Sequence, residues 1–162
     1  MSSQQETETY TLSMEREFDA PRELVFNAFM DPDQLAAWFG PEGVDTPRDR
    51  ITVEPRVGGA WSLVMVYEDD GVHKESPINS IITQYEPPRL IEAAERESDE
   101  STAAGEVLRM RLEFEDIGGR TLLKLTQSGF TSQEWVDMTR EGWDSSFTIL
   151  DKELAATSDT AS

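Results

Sequence analysis

Four tryptophans, Trp38, Trp61, Trp135 and Trp143, are the residues here best suited to chemistry, and the chemistry they suit is binding. An indole offers a wide apolar face and one N–H, so several around one space can hold a planar or hydrophobic molecule. Trp135 and Trp143 fall with Met138, Gly142, Phe147, Leu150 and Leu154 on the three-, four- and seven-residue spacings of one helical stripe. Trp61 alternates with Leu63 and Met65, and Met110 with Leu108, Leu112 and Phe114, as residues on one face of a strand do. Methionine adapts its shape, which suits Met65 and Met110 to a pocket and to a core gap equally. Trp38, followed by Phe39-Gly40-Pro41, reads as packing rather than binding.

Acid–base chemistry has few candidates. His73 is the one histidine, and it directly follows the turn residues Asp69-Asp70-Gly71, where exposure is expected and no partner is evident. One histidine without any cysteine does not furnish a catalytic zinc site, and the lack of cysteine also excludes disulfides and thiolate catalysis. With 33 acidic residues, chance proximity of carboxylates is expected and their spacing carries no information. No nucleophile elbow or phosphate loop is present. Arg109 and Arg111 alternate with apolar residues beside Glu113 and Glu115, which reads as cross-strand charge pairing on an outer face. Arg16 falls on the apolar side of the first strand, to reach an acidic ligand or to emerge at the strand end; the second is favoured.

The 162 residues carry a net charge of −19, with 14 basic residues of which only Lys74, Lys124 and Lys152 are lysine. The acids are spread over every segment, as on a solvated surface, and such a field repels nucleic acid and anionic membranes. An acid-rich, lysine-poor surface resembles that of proteins from salt-loving organisms, where salt screens the self-repulsion. No apolar run is long enough to span a membrane, and the polar start has no signal core, so a cytoplasmic protein is expected.

The elements that must position the tryptophans follow from periodicity. Residues 10–18 alternate as a half-buried strand. Pro21 then opens a short helix with Leu24, Val25, Ala28 and Phe29 on its apolar face, and a second runs over 33–39 after Asp31-Pro32. Strands are expected over 50–54, 60–68, 73–86, 89–97, 106–115 and 120–128. Asp69-Asp70-Gly71 makes a hairpin turn, Pro77 marks an edge or bulge, and 98–105 is a polar hairpin loop. Thr131 or Ser132 caps the last helix, 131–154. Residues 1–9 and 157–162 are expected to be flexible around a single domain over 10–156. A single antiparallel sheet buries one face, so the long helix must lie on it, and a curved sheet around a helix leaves room for a small molecule.

Several stretches together resemble the START-like (SRPBCC) superfamily, in the group related to the C-terminal domain of the heat-shock protein 90 ATPase activator. They are Ala20-Pro21-Arg22-Glu23-Leu24-Val25-Phe26-Asn27-Ala28-Phe29 with Asp31-Pro32, then Leu35 through Trp38-Phe39-Gly40-Pro41 and Pro55-Arg56-Val57-Gly58-Gly59-Ala60-Trp61. Glu86-Pro87-Pro88-Arg89-Leu90 follows, then Gly118-Gly119-Arg120-Thr121 running on to Ser128-Gly129-Phe130, and Gly142-Trp143. The resemblance implies an α+β helix-grip fold: a curved antiparallel sheet of about six or seven strands around a long C-terminal helix, with two short helices after the first strand. Its members include co-chaperone domains, small-molecule binders and cyclase-like enzymes, so the fold does not fix the activity.

The expectation is a non-enzymatic protein that needs no cofactor or metal and holds a small hydrophobic or aromatic ligand against Trp61, Met65, Met110, Leu112, Trp135, Trp143 and Phe147. A cyclase- or hydrolase-type enzyme using the same cavity and a module modulating a chaperone ATPase are the alternatives. A homodimer through the exposed strand or the two short helices is compatible with the sequence, which specifies none.

Overall fold

The computed structural model describes residues 9–40, 43–96, 102–103 and 105–161, with side chains through 156. The expectations for Pro41, for nearly all of 1–9 and for most of the 98–105 loop lie outside these residues.

Alternating apolar residues give β1 (Tyr10–Phe18), and Pro21 starts α1 (Arg22–Met30). Asp31 then accepts a hydrogen bond from the Asp33 backbone N–H at 2.9 Å and so caps α2 (Pro32–Trp38), with Pro32 in the first turn, where its missing N–H costs nothing. Strands β2 (Thr52–Val53), β3 (Ala60–Asp69), β4 (Val72–Glu86), β5 (Leu90–Glu95), β6 (Arg109–Asp116) and β7 (Thr121–Phe130) follow, and α3 (Gln133–Ala161) ends the chain. All seven strands form one curved, unclosed antiparallel sheet in the order β1-β7-β6-β5-β4-β3-β2. The helix-grip architecture expected from the sequence is the one observed.

Local chemistry accounts for the connections. Asp70 and Gly71 both take positive φ, 57° and 80°, between the paired ends Asp69 and Val72, so this two-residue turn matches the strand twist. Pro77 pairs with Val64 on β3, in the half of β4 that extends beyond its pairing with β5, which starts at Ser80. Its missing N–H therefore faces an edge. The bulge lies further on, between Ile82 and Gln84. Residues 106–108, expected in a strand, precede β6.

The long helix is gripped on a slightly different stripe from the one the spacing suggests. Val136, Trp143, Phe147, Leu150 and Leu154 are buried, whereas Met138 is 55% exposed. Met138 lies five residues before Trp143, about 140° round the helix from the buried line, while Val136 lies seven before and returns to it. Ser132, rather than Thr131, caps α3, accepting from the Trp135 N–H at 3.2 Å. The helix also continues to Ala161, past the Leu154 at which apolar spacing would stop it.

Between helix and sheet the core is largely aromatic. Phe147 lies against Phe18 (ring centroids 5.5 Å), Trp38 (6.2 Å) and Trp143 (5.3 Å), and Phe29 joins Trp38 (4.8 Å) to Phe114 (5.6 Å). These rings fill most of the space that the curved sheet would otherwise leave open. Arg16, on the helix-facing side of β1, meets Asp151 of α3 at 2.6 Å, so its inward register serves the grip. The outer face carries charge pairs: Arg111 bridges Glu92 of β5 and Glu113, the latter at 2.9 Å, and Lys124 meets Glu115 at 2.8 Å. The hydrogen bonds that Arg111 donates to Glu113 and, second, to Glu92 raise its pKa above the ordinary value. No helix among the described residues is long and apolar enough to cross a membrane.

Fourteen cations cannot balance 33 acids, so repulsion among the unpaired acids should dominate the response to salt. The melting temperature is expected to rise between about 0.1 M and about 1 M NaCl, as the Debye length falls from about 10 Å to about 3 Å. Scanning calorimetry across that range checks it; a falling midpoint would show that the outer-face ion pairs outweigh the repulsion.

Candidate functional site

One apolar recess opens where the inner face of the sheet carries small side chains. Register places Trp61 of β3 directly across from Ser80 of β4, and Ser80 across from Glu95 of β5. In the adjacent row Ala93 of β5 faces Met110 of β6, which faces Gln127 of β7. At the corresponding inner positions nearby stand Leu63, Ile82, Ile91 and Leu112, all buried and all large. Ser80 and Ala93 thus leave a dent in an otherwise filled surface. Phe39, just after α2, and Trp143 of α3 close over it, and Ile78 and Leu108 complete the walls.

The recess spans about 330 Å³ of space outside the protein atoms, its mouth included, and a water molecule's centre can move through only about 30 Å³ of it. As it stands it has room for about two waters. A ligand of one or two rings requires wall side chains to turn aside, which the unbranched Met110 does at small cost.

Its tryptophans are held by hydrogen bonds as well as by packing. The Trp61 indole N–H donates to Phe29 O at 2.8 Å, and that of Trp38 to Ala28 O at 2.9 Å. Both acceptors are end carbonyls of α1 that have no partner within the helix, so the two indoles cap it. Trp38 belongs to the core, as expected, and Trp61 both caps and lines. Trp61→Phe keeps the ring but strands Phe29 O, so an expected loss of about 1–2 kcal/mol should appear in urea unfolding. The Trp143 indole N–H donates to Gln127 Oε1 at 2.7 Å, leaving the amide NH₂ of that buried glutamine as the donor at the floor.

Of the seven residues expected to bind, Trp61, Met110 and Trp143 come together here. Met65 packs against the core from the inner face of β3, but four residues beyond Trp61, about 13 Å along the strand. Leu112 and Phe147 are fully buried in the core, and half-buried Trp135 lies two helical turns before Trp143. Ser80, Ala93, Glu95 and Gln127 were not among the expected residues. Their signal was available in Ile78-x-Ser80-x-Ile82 and Ile91-x-Ala93-x-Glu95, where small or polar residues occupy inward positions.

His73 stands exposed by the β3–β4 turn, its Nε2 3.2 Å from Glu75 Oε2, and Arg50 meets the same oxygen at 3.1 Å. The hydrogen bond from His73, followed by that from Arg50, holds the Glu75 carboxyl below its ordinary value. Neither His73 nor Glu75 lines the recess. Among the described residues no group of three or more Asp, Glu or His side chains is arranged to hold a metal.

Comparison with known proteins agrees with this architecture. A solved structure from Chromobacterium violaceum superposes with a TM-score of 0.77 at 23% identity, covering 89% of this chain and 96% of the other. An AHSA1 protein from Silicibacter pomeroyi gives 0.74 at 27% identity, covering 91% and 99%. CalU16 from Micromonospora echinospora is more distant, at 0.61 and 21% identity, covering 86% and 73%. No curated protein matches. Residues 19–155, from the end of β1 into the last turns of α3, match the family described as Activator of Hsp90 ATPase homolog 1-like protein (AHSA1), and the chain belongs to that family.

Proposed function

We propose that this chain binds a small hydrophobic or aromatic molecule in the recess beneath Trp143 and does not act on it as an enzyme. The observation that supports this is the dent made by Ser80 and Ala93 under two tryptophans, with Glu95 on β5 and Gln127 on β7 as polar lining groups. Burial of ligand surface against Trp61, Met110 and Trp143 supplies the affinity, and the polar groups set the orientation. Turnover would require titratable groups around the ligand, and among the described residues Glu95 is the only one lining the recess.

In the same proposal, residues 10–156 form one START-like domain with flexible ends, working in the cytoplasm of a salt-loving cell. The chaperone-modulating role of the family's namesake receives less support. Among the described residues the large exposed apolar side chains are Val57, Val72, Ile117 and Met138, one from each of four separate segments.

Thermal unfolding in concentrated salt against a panel of small aromatic compounds tests the proposal. A ligand of the native state alone adds about 2.7 kcal/mol at a hundred times its Kd, so the midpoint should climb with the logarithm of its concentration. The shift should vanish in Trp143→Ala, provided circular dichroism shows the variant folded. A panel without any shift, together with stimulation of a purified chaperone ATPase, would transfer the assignment to the partner-binding role.

A further inference from the structure

The polarity of the recess narrows the ligand class, on the premise that the recess is the binding site. Its walls are mostly apolar, and its polar groups stand at two places. Ser80 and Glu95 are directly paired across β4 and β5, and Gln127 lies across Met110 on β7. Among the described residues Glu95 is the one charged side chain lining the space, and no lysine or arginine lines it. Ser80 and Gln127 are buried, and Glu95 is half-buried. A carboxylate beside apolar walls attracts a cation more strongly than one in open water does, because the local dielectric is lower. Indole faces attract cations too, and Trp61 and Trp143 stand in the same wall. The net charge of −19 opposes an anion approaching the mouth.

We infer that the recess selects an aromatic amine: a flat apolar body between Trp61, Met110 and Trp143, with a protonated nitrogen directed to Glu95 and Ser80. Carboxylate and phosphate ligands are disfavoured at this position. The small side chain of Ala93, two residues before Glu95 on the same face of β5, leaves the space in which the ring would lie.

Three naphthalenes of similar size separate the possibilities: naphthylmethylamine, naphthylmethanol and naphthoate. Titrations on the full chain at about 1 M NaCl suppress steering by the remote surface charge. The amine is expected to bind about tenfold or more tightly than the alcohol, and naphthoate more weakly than both. Glu95→Gln should remove the amine's advantage and leave the alcohol's affinity in place. Glu141→Gln, the same loss of charge on the exposed face of α3, should change nothing.

In wild-type protein, an alcohol or naphthoate that binds as well as the amine would overturn the inference while leaving ligand binding intact. This ranking does not depend on whether Glu95→Gln folds. Loss of the preference in Glu141→Gln would also overturn it. Binding of none of the three would overturn the recess as a site for aromatic ligands, and the inference with it.

Discussion

Replacing Phe147 by alanine is expected to cost about 3–5 kcal/mol, among the largest losses from a single side chain in this fold. The ring is fully buried and touches Phe18 of β1, Trp38 of α2 and Trp143 of α3, at centroid separations of 5.5, 6.2 and 5.3 Å. It therefore joins three elements that have no other common aromatic contact. Two terms add: the transfer free energy of the lost ring, and a cavity that the flanking rings cannot close without giving up their other contacts. Urea unfolding checks the value from the midpoint at constant slope. A cost below about 1 kcal/mol would mean that the helix is held chiefly by its other contacts, such as the Arg16–Asp151 pair.

Gly59→Ala is expected to cost about 2–3 kcal/mol, although it adds only one methyl group. Gly59 has ordinary negative φ, so the requirement is for space. A Cβ there would overlap the carbonyl oxygen of Glu54 and stand 2.9 Å from that of Arg56. Both obstacles are backbone, which cannot swing away as a side chain could. The turn is also tied to the sheet: the Gly58 N–H donates to Ile82 O at 2.8 Å, and the Ile82 N–H to Gly59 O at 2.9 Å. Shifting Gly59 therefore disturbs β4 just before its bulge, and with it Ser80 on the floor of the recess. Thermal unfolding measures the loss, and Gly58→Ala offers a contrast. Gly58 has a φ of 85° but open space around its Cβ, so its cost is that of left-handed backbone alone, about 1–2 kcal/mol.

Much of this architecture is legible in the chain because the sheet alternates so regularly. Leu108, Met110, Leu112 and Phe114 on one side, against Arg109, Arg111 and Glu113 on the other, leave one choice of face, and Leu123 and Leu125 repeat it. The motifs from Ala20-Pro21 to Gly142-Trp143 then order the elements, and the glycine at 59 has a steric reason once Glu54 O is seen beside it.

The site is only partly legible. Large residues attract attention, and Trp61, Met110 and Trp143 do border the recess. A recess, however, is made where residues are small, and Ser80 and Ala93 acquire meaning only when cross-strand register sets them diagonally next to each other on β4 and β5. That register depends on the bulge between Ile82 and Gln84, where alternation breaks without a glycine or proline to announce it. Phe147 and Leu112 have the right face but the wrong depth, since periodicity reports direction and not whether a neighbour fills the space. Met138 shows the matching error on a helix, where a small difference in phase turns an inner residue outward.

The most direct test of the central claim is to fill the recess without touching its tryptophans. Ala93→Met puts a flexible side chain into the dent, and overpacking is expected to cost no more than about 1–3 kcal/mol. The measurement is a calorimetric titration of wild-type and Ala93→Met protein with whichever aromatic compound raises the wild-type melting temperature most. Saturable one-to-one binding by the wild type and none by the folded variant is the result this account predicts. Equal affinity for both would place the ligand elsewhere on the molecule and contradict the account.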